Sequence, residues 1–141
     1  MAPADGGSPA PIDRPILEFL RDRLGRTDQV RTARITEEGH VELRVVFADT
    51  YYPDVVRAAI LQIRWYTNDD FSIHYREDHD DGEWECRWDH HPNPHNTREH
   101  LHPPPDAPTP GEDADWPADY RDVTSMVLDE VEARIADLWA E

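Results

Sequence analysis

Residues 71–89 constrain the fold of this chain most strongly, because apolar and polar side chains alternate there on both sides of an Asp-Gly pair. Asp81-Gly82 is typical of a two-residue hairpin turn, and the alternation is typical of strands buried on one face. Centring the turn on this pair makes Tyr75 oppose Trp88 and His74 oppose Asp89. A one-residue slip would mix the two faces, so the sequence predicts an antiparallel hairpin with one buried side. The side chains on that apolar side are Phe71, Ile73, Tyr75, Trp84, Cys86 and Trp88.

Elements before and after this hairpin complete the predicted fold. Further strands are expected at residues 30–36, 41–47 and 59–66, while residues 49–56 fit either an edge strand or a loop. A first helix follows Asp13 and ends at Gly25, and a long second helix covers about residues 119–139. The expected fold is therefore α+β: an antiparallel β-meander of about five strands, with the N-terminal and the long C-terminal helix packed on one face. The apolar stripe of the first helix is expected to be Ile16, Phe19, Leu20 and Leu24.

The length of 141 residues is that of one domain. Residues 1–12 are rich in Ala, Pro and Gly and are expected to form a disordered N-terminal tail. Residues 13–141 are expected to form a single α+β domain, in which a Pro/His-rich connection occupies about residues 90–117.

The charge of the chain indicates where it works. It carries 31 acidic residues against 14 arginines, no lysine, and a net charge of −17. Such a charge opposes nucleic-acid binding, but the acidic residues are dispersed, as in proteins adapted to molar salt, where the Debye length is about 3 Å. The single Cys86 excludes an intrachain disulfide and fits a reducing interior, and no apolar run is long enough for a membrane span. We therefore predict a halophilic cytoplasmic protein; an acidic protein from a GC-rich bacterium is the alternative.

The polar side of the predicted hairpin carries the residue types that metal-independent RNA cleavage requires. His74 and a loop histidine could move protons, with Asp89 orienting His74, while guanidinium groups stabilise charge on phosphoryl oxygens. Arg76 and Arg87, if directly opposed, would need an anion between them. A solvated surface without a further role is the competing interpretation. The predicted phosphate- and RNA-binding residues are Arg64, Arg76 and Arg87.

Histidines are concentrated after the hairpin, since five of the eight lie between positions 90 and 102. Imidazole moves protons near neutral pH and binds metals. The spacing is irregular and only one cysteine is present, so the segment does not match the usual zinc templates. We predict no metal and no cofactor, and keep a metal-dependent hydrolase built on this loop as an alternative.

Three segments together carry a resemblance to a known family. They are Ser72-Ile73-His74-Tyr75-Arg76, Arg87-Trp88-Asp89-His90-His91-Pro92 and His100-Leu101-His102-Pro103. In order and spacing they resemble the TumE family of toxins from toxin–antitoxin pairs, over about residues 30–140, and the charge suggests a haloarchaeal-type member. The resemblance implies a cognate antitoxin with a helix-turn-helix domain and a toxicity directed at RNA or translation. With the hairpin argument, the candidate catalytic residues are His74, Asp89, His91, His100 and His102.

Three functions follow as hypotheses. The first is a toxin that acts as an endoribonuclease or on the ribosome, with no membrane association and as a homodimer if it assembles. The second is a non-catalytic partner-binding module of a regulatory pair. The third is the metal-dependent hydrolase.

Overall fold

The computed structural model describes residues 10–91, 99–109 and 111–141. Two helices flank a run of strands in the chain, and a short 3-10 turn at Asp49–Tyr51 precedes the third strand. The helices are α1 (Arg14–Leu24) and α2 (Tyr120–Ala140), and the strands are β1 (Val30–Thr36), β2 (Glu42–Phe47), β3 (Val56–Trp65), β4 (Phe71–His79), β5 (Gly82–His90), β6 (Glu99–His102) and β7 (Glu112–Asp113).

The strands form one seven-stranded sheet in the order β1 to β7, and each neighbouring pair is antiparallel. The predicted α+β meander with an N-terminal and a long C-terminal helix is confirmed. The structure has two strands more than the five expected. Both extra strands, β6 and β7, come from the Pro/His-rich segment. β6 lacks the apolar alternation that identifies a half-buried strand, because its buried side chains are His100 and His102, and β7 consists of two exposed acidic residues.

The hairpin of β4 and β5 differs in register from the prediction. Its two-residue loop is Asp80-Asp81, and Gly82 already pairs with His79. Gly82 has φ +145°, a conformation that favours glycine. It is the first strand residue after the loop, whereas the predicted turn placed it at the second position of the loop. His74 consequently opposes Arg87, and the expected pairing of His74 with Asp89 is wrong.

The two-residue difference in register leaves the assignment of faces intact, because side chains alternate with a period of two. Ser72 now opposes Asp89, and Arg76 opposes Glu85. Arg76 and Arg87 are therefore not directly opposed, and the expected repulsion between them does not arise.

Both helices cover the apolar face of the sheet. In α1, Asp13 caps the N-terminus by accepting a hydrogen bond from the Ile16 N–H, and Gly25 is the C-cap, as predicted. The buried side is Leu17, Leu20 and Leu24, whereas Phe19 is 44% exposed, so the predicted stripe was rotated. The edge of the Phe19 ring instead meets Tyr120 of α2, at 5.7 Å between ring centroids.

Helix α2 is held to the sheet by apolar contacts and by two polar ones. Val123, Val127 and Val131 join the main core cluster. The Trp88 indole donates a 2.7 Å hydrogen bond to Glu130, and Arg134 pairs with the fully buried Glu77 at 2.9 Å. Neither helix of the described residues packs on the opposite side of the sheet, here called the polar face. No helix among the described residues is long and apolar enough to cross a membrane.

Of the predicted N-terminal tail, residues 1–9 lie outside the described residues. Ile12 forms an antiparallel bridge with Tyr66, and the Thr67 N–H donates to the Pro11 carbonyl at 2.9 Å. This end of the tail therefore runs beside the turn that joins β3 to β4.

Candidate functional site

A small pocket lies on the polar face, across β3, β4 and β5. Its volume is about 60 Å³, which is small beside the several hundred Å³ of a typical ligand site. The pocket is lined by Gln62, Arg64, Ser72, His74 and Arg87.

Side-chain alternation explains why these residues meet. Gln62 and Arg64 are two apart on β3, Ser72 and His74 are two apart on β4, and the strand pairing aligns them with each other and with Arg87 on β5. Residues two apart on a strand project from the same face. The sequence therefore placed Arg64, His74 and Arg87 together correctly.

His74 is paired with Glu85 and not with Asp89. Its Nε2 lies 2.8 Å from a Glu85 carboxylate oxygen, and each side chain is about a quarter exposed. Burial lowers the pKa of His74 from its ordinary value, while Glu85 raises it and the charges of Arg87 and Arg76 lower it further. The net lowering keeps this imidazole neutral at neutral pH, which is the form a general base needs.

Each of the three predicted phosphate-binding arginines already has a carboxylate neighbour. Nε of Arg64 is 3.4 Å from Glu42, and Nε of Arg87 is 3.1 Å from Asp89. Arg76 lies outside the pocket lining and contacts Asp78 at 3.1 Å and Glu83 at 3.6 Å. Arg64 and Arg87 therefore line the pocket, and a neighbouring carboxylate partly compensates the charge of each. Arg76 lies outside the pocket.

A second constellation lies beside the pocket, where β6 pairs with β5. Asp89 opposes His100 and Arg87 opposes His102 in this pairing. The Nε2 atoms of three histidines converge on one carboxylate oxygen, Oδ2 of Asp89: His102 at 3.0 Å, His91 at 3.3 Å and His100 at 3.5 Å. We call Asp89, His91, His100 and His102 the histidine–aspartate cluster.

The cluster is closed to solvent. Asp89 and His100 are fully buried, His102 is 1% exposed and His91 is 5% exposed. Burial alone would raise the pKa of Asp89, yet the contacts with His100, His102 and His91 and the charge of Arg87 together hold it well below its usual range. Asp89 is therefore an ionised carboxylate surrounded by imidazoles.

The chain after β6 forms the cover of this cluster. The Pro108 carbonyl lies 2.7 Å from Nδ1 of His102. The Trp116 indole donates to the backbone carbonyl of Asp89 at 3.0 Å, and the Trp116 N–H donates to Glu99 at 2.7 Å. Gly111 passes so close that a Cβ there would lie 2.5 Å from the Leu101 carbonyl oxygen. This close cover prevents a substrate from reaching the cluster directly.

The predicted site residues thus fall into two groups. His74, Arg64 and Arg87 meet at the pocket, and Asp89, His91, His100 and His102 form the buried cluster, with Arg87 bridging the two. His95, another residue of the His-rich segment, lies outside the described residues. Sequence reasoning missed Glu85 as the partner of His74 and Glu42 as the partner of Arg64. The alternation of side chains along the strands could have identified both partners. Glu85 lies on the same face as Arg87, and Glu42 of β2 lies beside the β3 residues of that face.

Comparison with known proteins identifies the family. Residues 16–135 match the family model described as toxin TumE. This match covers most of the chain, which therefore belongs to the TumE toxin family. Searches of curated proteins and of solved structures found no match.

Membership makes the protein a toxin, and a toxin of this kind has an antitoxin as its partner. The resemblance noted in the sequence is thereby confirmed at the level of the family.

Proposed function

We propose that this toxin is a ribonuclease whose reacting groups line the polar-face pocket. The observation that carries the proposal is the meeting of a neutral imidazole, His74, with two guanidinium groups, Arg64 and Arg87, around one small concavity. A base next to cationic phosphate ligands is the arrangement that cleavage of an RNA backbone requires.

In the proposed reaction His74 removes the proton from a ribose 2′-hydroxyl. The 2′-oxygen forms a bond to phosphorus, the bond from phosphorus to the 5′-oxygen breaks, and water protonates the leaving oxygen. The products are a 2′,3′-cyclic phosphate and a 5′-hydroxyl. Arg64 and Arg87 stabilise the charge that builds on the phosphoryl oxygens.

Glu85 supports His74 in this scheme. Its carboxylate, 2.8 Å from Nε2, holds the imidazole in place and stabilises the imidazolium that forms after proton transfer. Nδ1 of the same ring is then the atom that receives the substrate proton. This role replaces the one expected of Asp89, which is buried in the cluster.

The acidic surface dictates the conditions under which RNA could be bound. A net charge of −17 repels phosphate at low ionic strength. We propose that the protein works in the cytoplasm of a salt-adapted cell, where screening shortens the reach of this repulsion to about 3 Å at 1 M salt. Contacts inside the pocket persist at that range, because they are made at hydrogen-bond distance.

The first test is the substitution His74→Gln. We expect this variant to lose RNA cleavage and to relieve growth arrest in a host that expresses the toxin, while its circular dichroism and melting temperature stay close to those of the parent. His40→Ala is the matched control, since His40 is an exposed histidine in the β1–β2 turn. A His74→Gln protein that remains fully toxic would refute the assigned role.

The partner is proposed from the family. We propose that the cognate antitoxin has a helix-turn-helix domain and is encoded beside the toxin. A neighbouring reading frame without such a domain, whose product still neutralises the toxin, would contradict this.

A further inference from the structure

We propose that the histidine–aspartate cluster is a binding site for a divalent transition metal ion, with Zn²⁺ the best fit. The ligands would be Nε2 of His100 and His102 and a carboxylate oxygen of Asp89, with His91 packed beside them. This site goes beyond the proposed ribonuclease function, because it is separate from the pocket and its existence does not depend on RNA cleavage.

Three ligand atoms are close enough to share one ion. The ligand atoms of Asp89, His100 and His102 all lie within 4.8 Å of one another. The Nε2 atoms of His102 and His100 lie 3.0 and 3.5 Å from Oδ2 of Asp89, near the edge of about 3.3–3.4 Å of a tetrahedron with zinc–ligand distances of about 2.0–2.1 Å. A set of two imidazoles and one carboxylate suits zinc and its first-row neighbours.

The hydrogen bonding of His102 points to a metal ligand. Its Nδ1 is 2.7 Å from the Pro108 carbonyl, which can only accept, so Nδ1 carries the proton. In a neutral ring Nε2 then carries a lone pair, which accepts a hydrogen bond from the Arg87 guanidinium at 3.3 Å and lies 3.0 Å from the Asp89 carboxylate. A metal ion would take the place of that hydrogen bond. A backbone carbonyl that accepts from one ring nitrogen, and so leaves the lone pair on the other, is the usual support of a metal-bound histidine.

Two members of the cluster have buried polar atoms without a hydrogen-bond partner among the described residues. They are Nδ1 and Nε2 of His100, of which Nε2 makes only the 3.5 Å contact with Asp89, and Oδ1 of Asp89, although both residues are fully buried. Leaving such atoms unsatisfied destabilises a fold. A metal ion bound by Nε2 of His100 would satisfy that atom.

The strand pairing explains why the linear sequence hides this site. Asp89 and His91 are two residues apart, as are His100 and His102, and antiparallel pairing sets Asp89 opposite His100. The ligands therefore come from the same face of two neighbouring strands. Zinc templates that are read along one chain segment with paired cysteines do not contain this pattern.

Burial defines the role of the ion. All three ligands are at most 1% exposed, so the ion would lie out of reach of a substrate, as expected of a structural rather than a catalytic site. The ion would fasten β6 to β5. It would also hold Asp89 in place, and through the 3.1 Å contact of Asp89 with Arg87 it would position that guanidinium at the pocket.

The test uses the full chain, purified without a histidine tag and freed of metal by a chelator. We expect titration with Zn²⁺ to saturate at about one ion per chain. At a hundredfold excess over the dissociation constant, the melting temperature should rise by about 10 °C. Co²⁺ should bind at the same site and produce the intense visible absorption of a tetrahedral centre. A wild-type chain that binds less than about a tenth of an ion and shows no thermal shift would overturn the proposal.

Variants then locate the site. Asp89→Asn and His102→Gln keep the side-chain volume nearly constant and should each weaken Zn²⁺ binding at least tenfold, and His100→Ala should abolish the Co²⁺ spectrum. His40→Ala, outside the cluster, should bind like the parent. If the cluster variants are folded and retain full Zn²⁺ affinity, the metal binds elsewhere and the assignment is wrong. Because binding is read without RNA, a chain that binds zinc but cuts no RNA would refute the ribonuclease proposal alone.

Discussion

Replacing Glu85 with glutamine should shift the pKa of His74 downward and move the acidic limb of the activity profile with it. Glu85 raises that pKa in the parent, against the larger lowering effect of burial. Glutamine has the same shape but no charge, so the lowering by burial and by Arg87 and Arg76 would act without opposition. The His74 imidazole would then stay neutral, and active as a base, down to a lower pH.

The size of the shift follows from the distance in the pair. At 2.8 Å two unit charges interact by about 1.5 kcal/mol with the dielectric constant of water, which is about one pKa unit. Both side chains are only about a quarter exposed, so the value for water is a lower bound. We expect the acidic limb of kcat/KM to move down by about one pH unit or slightly more.

Two measurements check this prediction. The first is kcat/KM for a defined oligoribonucleotide between about pH 4 and 8, where His74 titrates. The second is the NMR titration of the His74 ring, which needs no substrate. Glu83→Gln is the matched control, because Glu83 lies on the same strand and face but contacts Arg76. It should leave both curves nearly unchanged.

The stability of the protein should follow the same titration. Because the pKa of His74 is lowered in the folded state, the unfolded chain binds more protons between that pKa and about 6.5. The contribution of His74 to the free energy of unfolding is thus fully present above about pH 6.5 and is lost as the pH falls towards its folded pKa. In the NMR titration, a pKa of His74 that rises in Glu85→Gln, or that shifts as much in Glu83→Gln, would refute the role of Glu85 as the group that raises this pKa.

Two further predictions concern the fold. Arg134→Leu should lower the free energy of unfolding by about 3 kcal/mol, since it removes the guanidinium from the fully buried Glu77 carboxylate, which keeps the Tyr75 hydroxyl and the His79 imidazole as partners. Denaturant titration would measure the loss, and the double variant with Glu77→Gln should recover part of it. If Arg134→Leu costs less than about 1 kcal/mol, the pair does not hold α2 to the sheet. The melting temperature of the parent should also rise between about 0.1 M and 1 M KCl, because the Debye length falls from about 10 to about 3 Å and screens the net charge of −17; a flat or falling curve would contradict salt adaptation.

Much of the fold was predictable because it depends on local periodicity. The strands β1 to β5 and the helix α2 were located from alternation with a period of two and from a helical stripe, which burial on one side imposes on any sequence. The same parity brought Arg64, His74 and Arg87 to one face. This assignment of faces remained correct although the predicted register was wrong by two residues, because a shift by an even number leaves every side chain on the same side of the sheet.

Contacts between distant segments were not predictable in the same way. Whether His74 meets Asp89 or Glu85 depends on the position of the hairpin loop, and a choice between Asp81-Gly82 and Asp80-Asp81 changes the partner without changing the face. In α1 the apolar residues permit more than one stripe, and packing against the sheet selected Leu17 over Phe19.

The sequence by itself determined the α+β class, the polar and apolar faces of the sheet, and the side on which each candidate residue projects. Only the tertiary structure decided that His91, His100 and His102 converge on Asp89. That convergence needs β6 to pair with β5 in one register, and the sequence around β6 has no apolar alternation that would specify this pairing. The periodicity of the sequence determines which side of the sheet a residue faces. The hydrogen-bond register between strands and the burial of polar groups determine which other residues it contacts.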